Sequence, residues 1–464
     1  MQSRRDQVQA QSYVLGRLTA ALVAGDPERA ENPHRRTLVG VVCGVLVAAL
    51  MLAGFGIYGY LRPGGSSAWR KPGTLVLEKE TGSRYVYTGD QLRPVLNYAS
   101  ARLLFGGDPP RVSVSSRSLT TVTRGLPVGI VAAPDALPGP GALADAGWTS
   151  CAVGGADRAG AGGSGLVLTV AGGHTGAPLG GDAVVVRPVG DRGERANYLV
   201  WQGHRHRLGA AWMARVFGYD GPAESVDSRW IDLLPPASDI DPVQVPGLGE
   251  PGPTVQGRPT RIGQLFVVRL VGAEDRYYVL LRDGFSPLTA TGYAIVAADP
   301  VTARAYPDRA VTPTQVGPSA LAQVPVSGRR LFPEGLPSVP PPVGVAGEGR
   351  SWCVRQRPGG PVEVVADTPA GGAAARTELA AGAVADAVRM APGAGGLVRS
   401  GRPGQAAGGP LYLVTDAGLR YGVPSDAAAA ALGYQAAEAV TIPPEWLRLL
   451  PEGPLLDPAV VRGE

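Results

Sequence analysis

The run Leu38–Leu61, LVGVVCGVLVAALMLAGFGIYGYL, holds 24 residues and no charged side chain. As a helix rising 1.5 Å per residue it would extend ~36 Å, enough to cross a hydrocarbon core of ~30 Å with some tilt. Phe55, Tyr58 and Tyr60 fall in its last turns, where aromatic rings settle at a membrane interface. The alternative is a buried core helix, but such helices seldom run this far without a polar face. One transmembrane helix over 38–61 is therefore expected.

The flanking charges orient that span. Arg4, Arg5, Arg17, Arg29, Arg35 and Arg36 precede it, whereas Arg62, Arg70 and Lys71 are the nearest cations after it. This bias predicts a cytoplasmic N-terminus and an external C-terminal part, a single-pass protein of the cell membrane. The run is too long and starts too late for an ordinary signal peptide, so it reads as an uncleaved anchor. In the inside tail, residues 1–37, a short amphipathic helix over 7–24 aligns Val8, Val14, Leu15, Leu18 and Leu22 on one face. Gly25-Asp26-Pro27 ends it. A helix this short needs the membrane surface or a partner to be stable. Its face has no Trp or Phe anchor, which favours a protein partner.

Beyond the span, 44% hydrophobic and 18% charged residues overall allow real cores, while 67 glycines and 44 prolines point to short strands and many turns. A net charge of +4 over 464 residues makes no basic stripe, and the aromatics are not interleaved with the arginines, so no nucleic-acid partner is expected.

Two stretches of the exterior repeat. Tyr198-Leu199-Val200, Gly218-Tyr219, Trp230-Ile231-Asp232-Leu233-Leu234-Pro235 and Asp241-Pro242 match Tyr412-Leu413-Val414, Gly433-Tyr434, Trp446-Leu447-Arg448-Leu449-Leu450-Pro451 and Asp457-Pro458. In both, the Trp stands 11 positions before the Asp-Pro. Tyr198, Trp230, Tyr412 and Trp446 are the repeat signature. Each unit reads as a strand or hairpin, a small helix before Gly-Tyr, and a Trp-Leu-Leu-Pro turn. A weaker pair aligns Leu75-Val76-Leu77, Arg84-Tyr85-Val86 and Leu92–Leu96 with Phe266-Val267-Val268, Arg276-Tyr277-Tyr278 and Phe285–Thr289.

Between the members of each pair lies a cysteine preceded by a tryptophan: Trp148 with Cys151, and Trp352 with Cys353. Outside the membrane two cysteines can stay oxidised, and no neighbouring Cys or His offers metal-ligand spacing. The expectation is a Cys151–Cys353 disulfide near a pseudo-two-fold axis, while Cys43 is a small apolar residue of the span. The fold class is then α+β: an N-terminal amphipathic helix, one transmembrane helix, and an elongated pseudo-two-fold exterior with a mixed β core and four small repeat domains. The expected layout is repeat 1 at 70–126, core first half at 127–185, repeat 2 at 186–245, linker at 246–259, repeat 3 at 260–325, core second half at 326–398 and repeat 4 at 399–460. Core strands are expected at Leu166–Ala171, Ala183–Arg187 and Val362–Val365.

Reactive chemistry is sparse. Gly252–Thr260 has the glycine spacing of a phosphate loop but lacks the lysine and has Pro259 at the magnesium-binding hydroxyl position. Gly162-Gly163-Ser164-Gly165 is not a nucleophile elbow. His204 and His206 alternate on one strand without a third ligand nearby, and His174 sits in a Gly-rich turn. No catalytic, cofactor-binding or metal-binding residue is expected, and no cofactor.

The tail Gln11-Ser12-Tyr13-Val14-Leu15-Gly16-Arg17-Leu18, the Trp-Leu-Leu-Pro repeats and the Cys151, Cys353 pair together resemble EccB, the single-pass component of type VII (ESX) secretion systems of actinobacteria, through essentially the whole chain. The resemblance implies a structural scaffold subunit. Its tail and span would join the membrane complex of the translocation ATPase EccC with EccD and EccE. Its exterior would form a homodimer or higher oligomer. Two other readings compete with it: a cell-wall-binding anchor whose repeats grip glycan, and an ATP hydrolase, a label some family members carry that no nucleotide motif here supports.

Overall fold

In a computed structural model the described residues are 4–25, 33–61, 67–142, 147–153, 165–171, 176–189, 196–270, 272–367, 375–378, 385–402 and 408–463. They fall into two compact units, one of residues 1–93 and 110–125, the other of 94–109 and 126–464.

The first unit begins with helices α1 (Arg4–Ala24) and α2 (Pro33–Leu61). Within α2, Thr37–Gly59 has mean hydropathy 2.6 and no buried residue, and it is long and apolar enough to cross a membrane. Strands β1 (Leu75–Glu78), β2 (Arg84–Tyr87) and β3 (Gln91–Pro94) follow. The next helix, α3 (Tyr98–Phe105), belongs to the second unit, and the chain then returns as β4 (Arg111–Val114), α4 (Ser116–Leu119) and β5 (Thr123–Arg124). The sheet order is β4-β1-β2-β3-β5, with β4 parallel to β1. Trp69, Val76, Tyr85, Leu92, Val114 and Leu119 form its core. The buried Glu78 carboxylate accepts hydrogen bonds from Thr81 (2.6 Å) and Tyr85 (3.2 Å), and the Thr81 bond foremost holds it below the ordinary carboxylate range.

The second unit opens with core strands β6 (Trp148–Val153), β7 (Gly165–Val170) and β8 (Ala177–Pro178). A small sheet follows: β9 (Ala183–Val189), β10 (Asn197–Trp201), β11 (His204–Leu208), helix α5 (Met213–Val216), β12 (Glu224–Asp227), then helix α6 (Ser228–Asp232), which carries Trp230. After the hairpin β13 (Pro251–Val255) and β14 (Arg258–Arg261) comes another: β15 (Leu265–Val268), β16 (Arg276–Leu281), β17 (Gly284–Leu288), helix α7 (Ala290–Ala298), β18 (Thr314–Val316) and helix α8 (Ser319–Gln323). The core resumes with β19 (Ser351–Gln356), β20 (Val362–Asp367), β21 (Ala375–Glu378) and β22 (Ala387–Met390). A last small sheet has β23 (Gly396–Ser400), β24 (Leu411–Val414), β25 (Arg420–Val423), helix α9 (Asp426–Leu432), β26 (Val440–Ile442) and helix α10 (Pro444–Leu447) with Trp446; helix α11 (Pro458–Arg462) closes the chain.

These three small sheets repeat one topology. Their orders, β11-β10-β9-β12, β17-β16-β15-β18 and β25-β24-β23-β26, place the fourth strand parallel to the first. A parallel partner cannot be reached by a tight turn, so each chain crosses over through a helix. Side-chain caps start two of these crossover helices and also α3: Asn97, Thr289 and Ser425 accept from the amides of Ser100, Gly292 and Ala428. Gly433, at φ 95°, ends α9 in the left-handed conformation that a side chain would disfavour. Crossover helices also meet one another. The α3 helix packs on α9 and α11, and Arg102 Nε donates to the Ala431 carbonyl at 3.1 Å; α5 packs on α7.

The core sheet runs β21-β22-β7-β6-β19-β20-β8 and is supplied by both halves of the chain beyond α2. Its centre is the antiparallel pair β6–β19, in which Cys151 lies opposite Cys353. Alternation along the strands gives the sheet two faces. Trp148, Leu166, Leu168, Val170, Trp352, Val354 and Val364 enter the largest apolar core, together with Trp230 and Trp446 from the flanking sheets. Cys151, Cys353 and Val365 point the other way.

Three expected boundaries shift. Ala183–Arg187 is not a core strand; it lies in β9, which pairs with β10 and β12. That single strand crosses the 185/186 boundary, and β23 crosses the 398/399 boundary. The 246–259 stretch is more than a linker, because 251–261 closes a hairpin around a Gln256-Gly257 turn, both residues at positive φ.

Candidate functional site

On α1 the five apolar tail residues are exposed, from 54% at Leu18 to 81% at Leu22. They share one arc of the helix, since their spacing follows the 3.6-residue turn. The opposite side carries the small residues Gly16 and Ala20, and Ala20 is 1% exposed. The helix therefore covers its small side and leaves its branched side open to solvent.

The cysteines are bonded, Cys151 to Cys353 across 202 positions of sequence. Each is almost wholly buried, and the bond joins the central strands supplied by the two halves. The four signature residues are packing groups: Trp230 and Trp446 are fully buried, Tyr198 is nearly so, and Tyr412 is packed against the same core. The cluster is fastened by Arg229, whose guanidinium reaches Asp227 at 2.6 Å and Asp386 at 2.8 Å, while Asp386 also accepts from the Leu166 amide. This polar link between the first of the three small sheets and the second core half had no sequence signal, because neither Arg229 nor Asp386 is one of the matched positions of the repeats.

The phosphate-loop look-alike is the hairpin β13–β14. Thr260 Oγ1 donates to the Pro253 carbonyl, Val255 is buried, and the two-residue turn leads into a strand. A phosphate cradle needs a glycine loop feeding a helix N-terminus, which this segment lacks. Gly162–Ser164 and His174 lie outside the described residues. No cluster of three or more His, Cys, Asp or Glu suited to a metal occurs among the described residues.

His204 and His206 part company in the fold. His204 is exposed beside the β10–β11 turn, whereas His206 is 1% exposed and bonds the Ser238 carbonyl through Nδ1 at 2.9 Å. Burial pushes the His206 imidazole below its ordinary 6.5, the Ser238 bond opposing the shift. The unfolded chain then takes up a proton that the folded chain refuses, so stability is complete above 6.5 and falls as the pH drops below it. In His206→Gln this acid-side loss should shrink, read as a flatter plot of Tm against pH between about 7 and 5. An unchanged slope would assign the effect elsewhere.

The sequence model of the family described as "Type VII secretion system ESX-1, transport TM domain B" matches residues 1–462. The chain belongs to the EccB family. The ESX-3 secretion system ATPase EccB3 of Mycobacterium tuberculosis is 30% identical over 495 residues, covering 98% of this chain and 88% of the relative. Among solved structures, a chain of the intact ESX-5 inner membrane complex superposes with a TM-score of 0.64 at 27% identity, covering 99% of this chain and 95% of that one. The EccB3 dimer from the ESX-3 core complex gives 0.65 at 25% identity over 83% of this chain and 99% of that one. EccB is thus a component of ESX inner membrane complexes and is seen as a dimer. Curated EccB relatives carry the word ATPase in their names, and nothing in the described geometry gives a positive sign of that activity.

Proposed function

We propose that this chain is a non-enzymatic scaffold subunit of a type VII secretion membrane complex. The observation that carries the reading is the match along essentially the whole chain to a subunit of the intact ESX-5 inner membrane complex. The tail lies in the cytoplasm, as the arginine-rich flank before the span favours. There the Val8, Val14, Leu15, Leu18 and Leu22 stripe docks on EccC, EccD or EccE. The span anchors the chain once, and the duplicated exterior links protomers outside the membrane.

Leu15→Glu with Leu18→Glu places two carboxylates on the stripe without touching a described core. The double variant should lose most co-purification with its partners while the exterior keeps its Tm. Undiminished co-purification would contradict the stripe as the contact. ATP turnover above background by the full-length protein in detergent, free of EccC, would contradict the non-enzymatic reading.

A further inference from the structure

In each of the three small sheets the outer hairpin strand, β11, β17 or β25, is covered by a parallel strap, the chain that leaves α6, α8 or α10. Arg205 pairs with Pro236, Phe285 with Val326 and Arg420 with Glu452. The bonds repeat. The amides of Arg205, Phe285 and Arg420 donate to the carbonyls of Pro235, Pro325 and Pro451, and those of Ala237, Ser327 and Gly453 donate back to the same three strand residues, all at 2.8–3.0 Å. In the first sheet the Ile240 amide also donates to the Arg207 carbonyl at 2.8 Å. Without its strap each strand would present a row of unpaired amides and carbonyls.

The next residue along each strand lies under the strap, and there the sheets differ. His206, Ser286 and Tyr421 hold this position, all three buried. His206 Nδ1 donates to the Ser238 carbonyl at 2.9 Å, as Ser286 Oγ does to the Arg329 carbonyl at 2.7 Å; the Tyr421 ring lies so close to Gly453 that an added Cβ would strike it. An aliphatic hydroxyl and a phenol keep one charge state between about pH 5 and 8, whereas an imidazole does not. Burial foremost pushes the His206 imidazole below its ordinary 6.5; the Ser238 carbonyl and Asp239 of the strap oppose the shift, and His204 of its own strand adds to it. Trp201 of β10 contributes an uncharged ring at 6.3 Å. The flanking guanidiniums are engaged, Arg205 with Asp232 at 2.7 Å and Arg207 with Asp239 at 3.0 Å and Asp241 at 3.3 Å. Glu334 is exposed and meets the strap through its backbone carbonyl, 3.5 Å from Ser238 Oγ. Lifting the strap returns the His206 ring to water, where it accepts the proton that the closed form refuses, so acid favours the open form.

We propose that the strap 236–241 is an acid-released latch on the outer edge of β11: it is closed at neutral pH and opens when His206 takes up a proton, while the straps over Ser286 and Tyr421 stay shut. Hydrogen–deuterium exchange of the full-length protein in detergent, read as protection factors with the intrinsic rates divided out, tests it. Protection of the Ala237 and Ile240 amides should fall about tenfold from pH ~7 to pH ~5, the effect of one proton taken up on opening, while Ser327 and Gly453 keep theirs. In His206→Gln the Ala237 and Ile240 values should stay constant over the same range. Should that variant not fold, His206→Ser, with the residue the second sheet has at this position, takes its place. Unchanged protection of Ala237 and Ile240 in the native protein would overturn the proposal. So would an equal fall at all three straps, which marks general loosening, or a fall that persists in the folded His206 variant, which assigns it to the Arg207 ion pairs.

Discussion

Changing both Cys151 and Cys353 to alanine is expected to leave the core sheet assembled in the cold but to lower the Tm of the part beyond α2 by on the order of 5–10 °C. The bond closes a loop of 202 positions, for which the chain-entropy model gives about 5 kcal/mol, and native disulfides usually return about 2–5 kcal/mol. The variant should still fold because the two strands are held by more than the bond. Val354, Arg355 and Gln356 of β19 pair with Ser150, Thr149 and Trp148 of β6, and the opposite face is packed into the main core. Reduction of the native protein should stay slow until the exterior opens, since both sulfurs sit in almost fully buried residues. Scanning calorimetry of the native and Ala/Ala proteins measures the difference. Equal Tm values would mean that the halves are joined by packing alone.

The second large effect lies in the tryptophans. Trp230→Ala and Trp446→Ala each empty a fully buried ring position in the same core, at a cost of about 3–5 kcal/mol. The indole N–H groups of both have no partner among the described residues, so replacement by phenylalanine removes volume but no hydrogen bond. Phenylalanine variants should therefore lose clearly less than alanine variants. Denaturant unfolding of the exterior reads this directly; a phenylalanine variant as damaged as the alanine one would point to a polar role for the indole.

The same residues mark what the sequence could and could not disclose. An apolar run of this length without charge favours one long helix, so α2 was legible from Leu38–Leu61, and its first turn at Pro33 was hidden only by the polar residues there. The repeats of Trp230 and Trp446 were legible because a large ring at a fixed offset before Leu-Leu-Pro must be buried the same way twice. The hairpin at 251–261 was not, since Pro251, Pro253, Gly257 and Pro259 carry a linker composition and the pairing that makes strands of them is non-local. Nor was the assignment of Ala183–Arg187, whose burial pattern fits a core sheet as well as the small sheet it joins. The apolar arc of α1 was legible from helical spacing; the buried Ala20 on its other side gave no signal, because alanine is equally at home on either face.

The scaffold reading stands or falls on who accompanies the protein. Purification of the full-length chain from its own membranes in mild detergent, with identification of every bound subunit, is the direct measurement, made in parallel on a chain lacking residues 1–30. The account predicts EccC, EccD and EccE with the intact chain, and their loss with the shortened one while its exterior keeps the native Tm and the Cys151–Cys353 bond. An intact chain that purifies alone, or a shortened chain that retains all three, would contradict it.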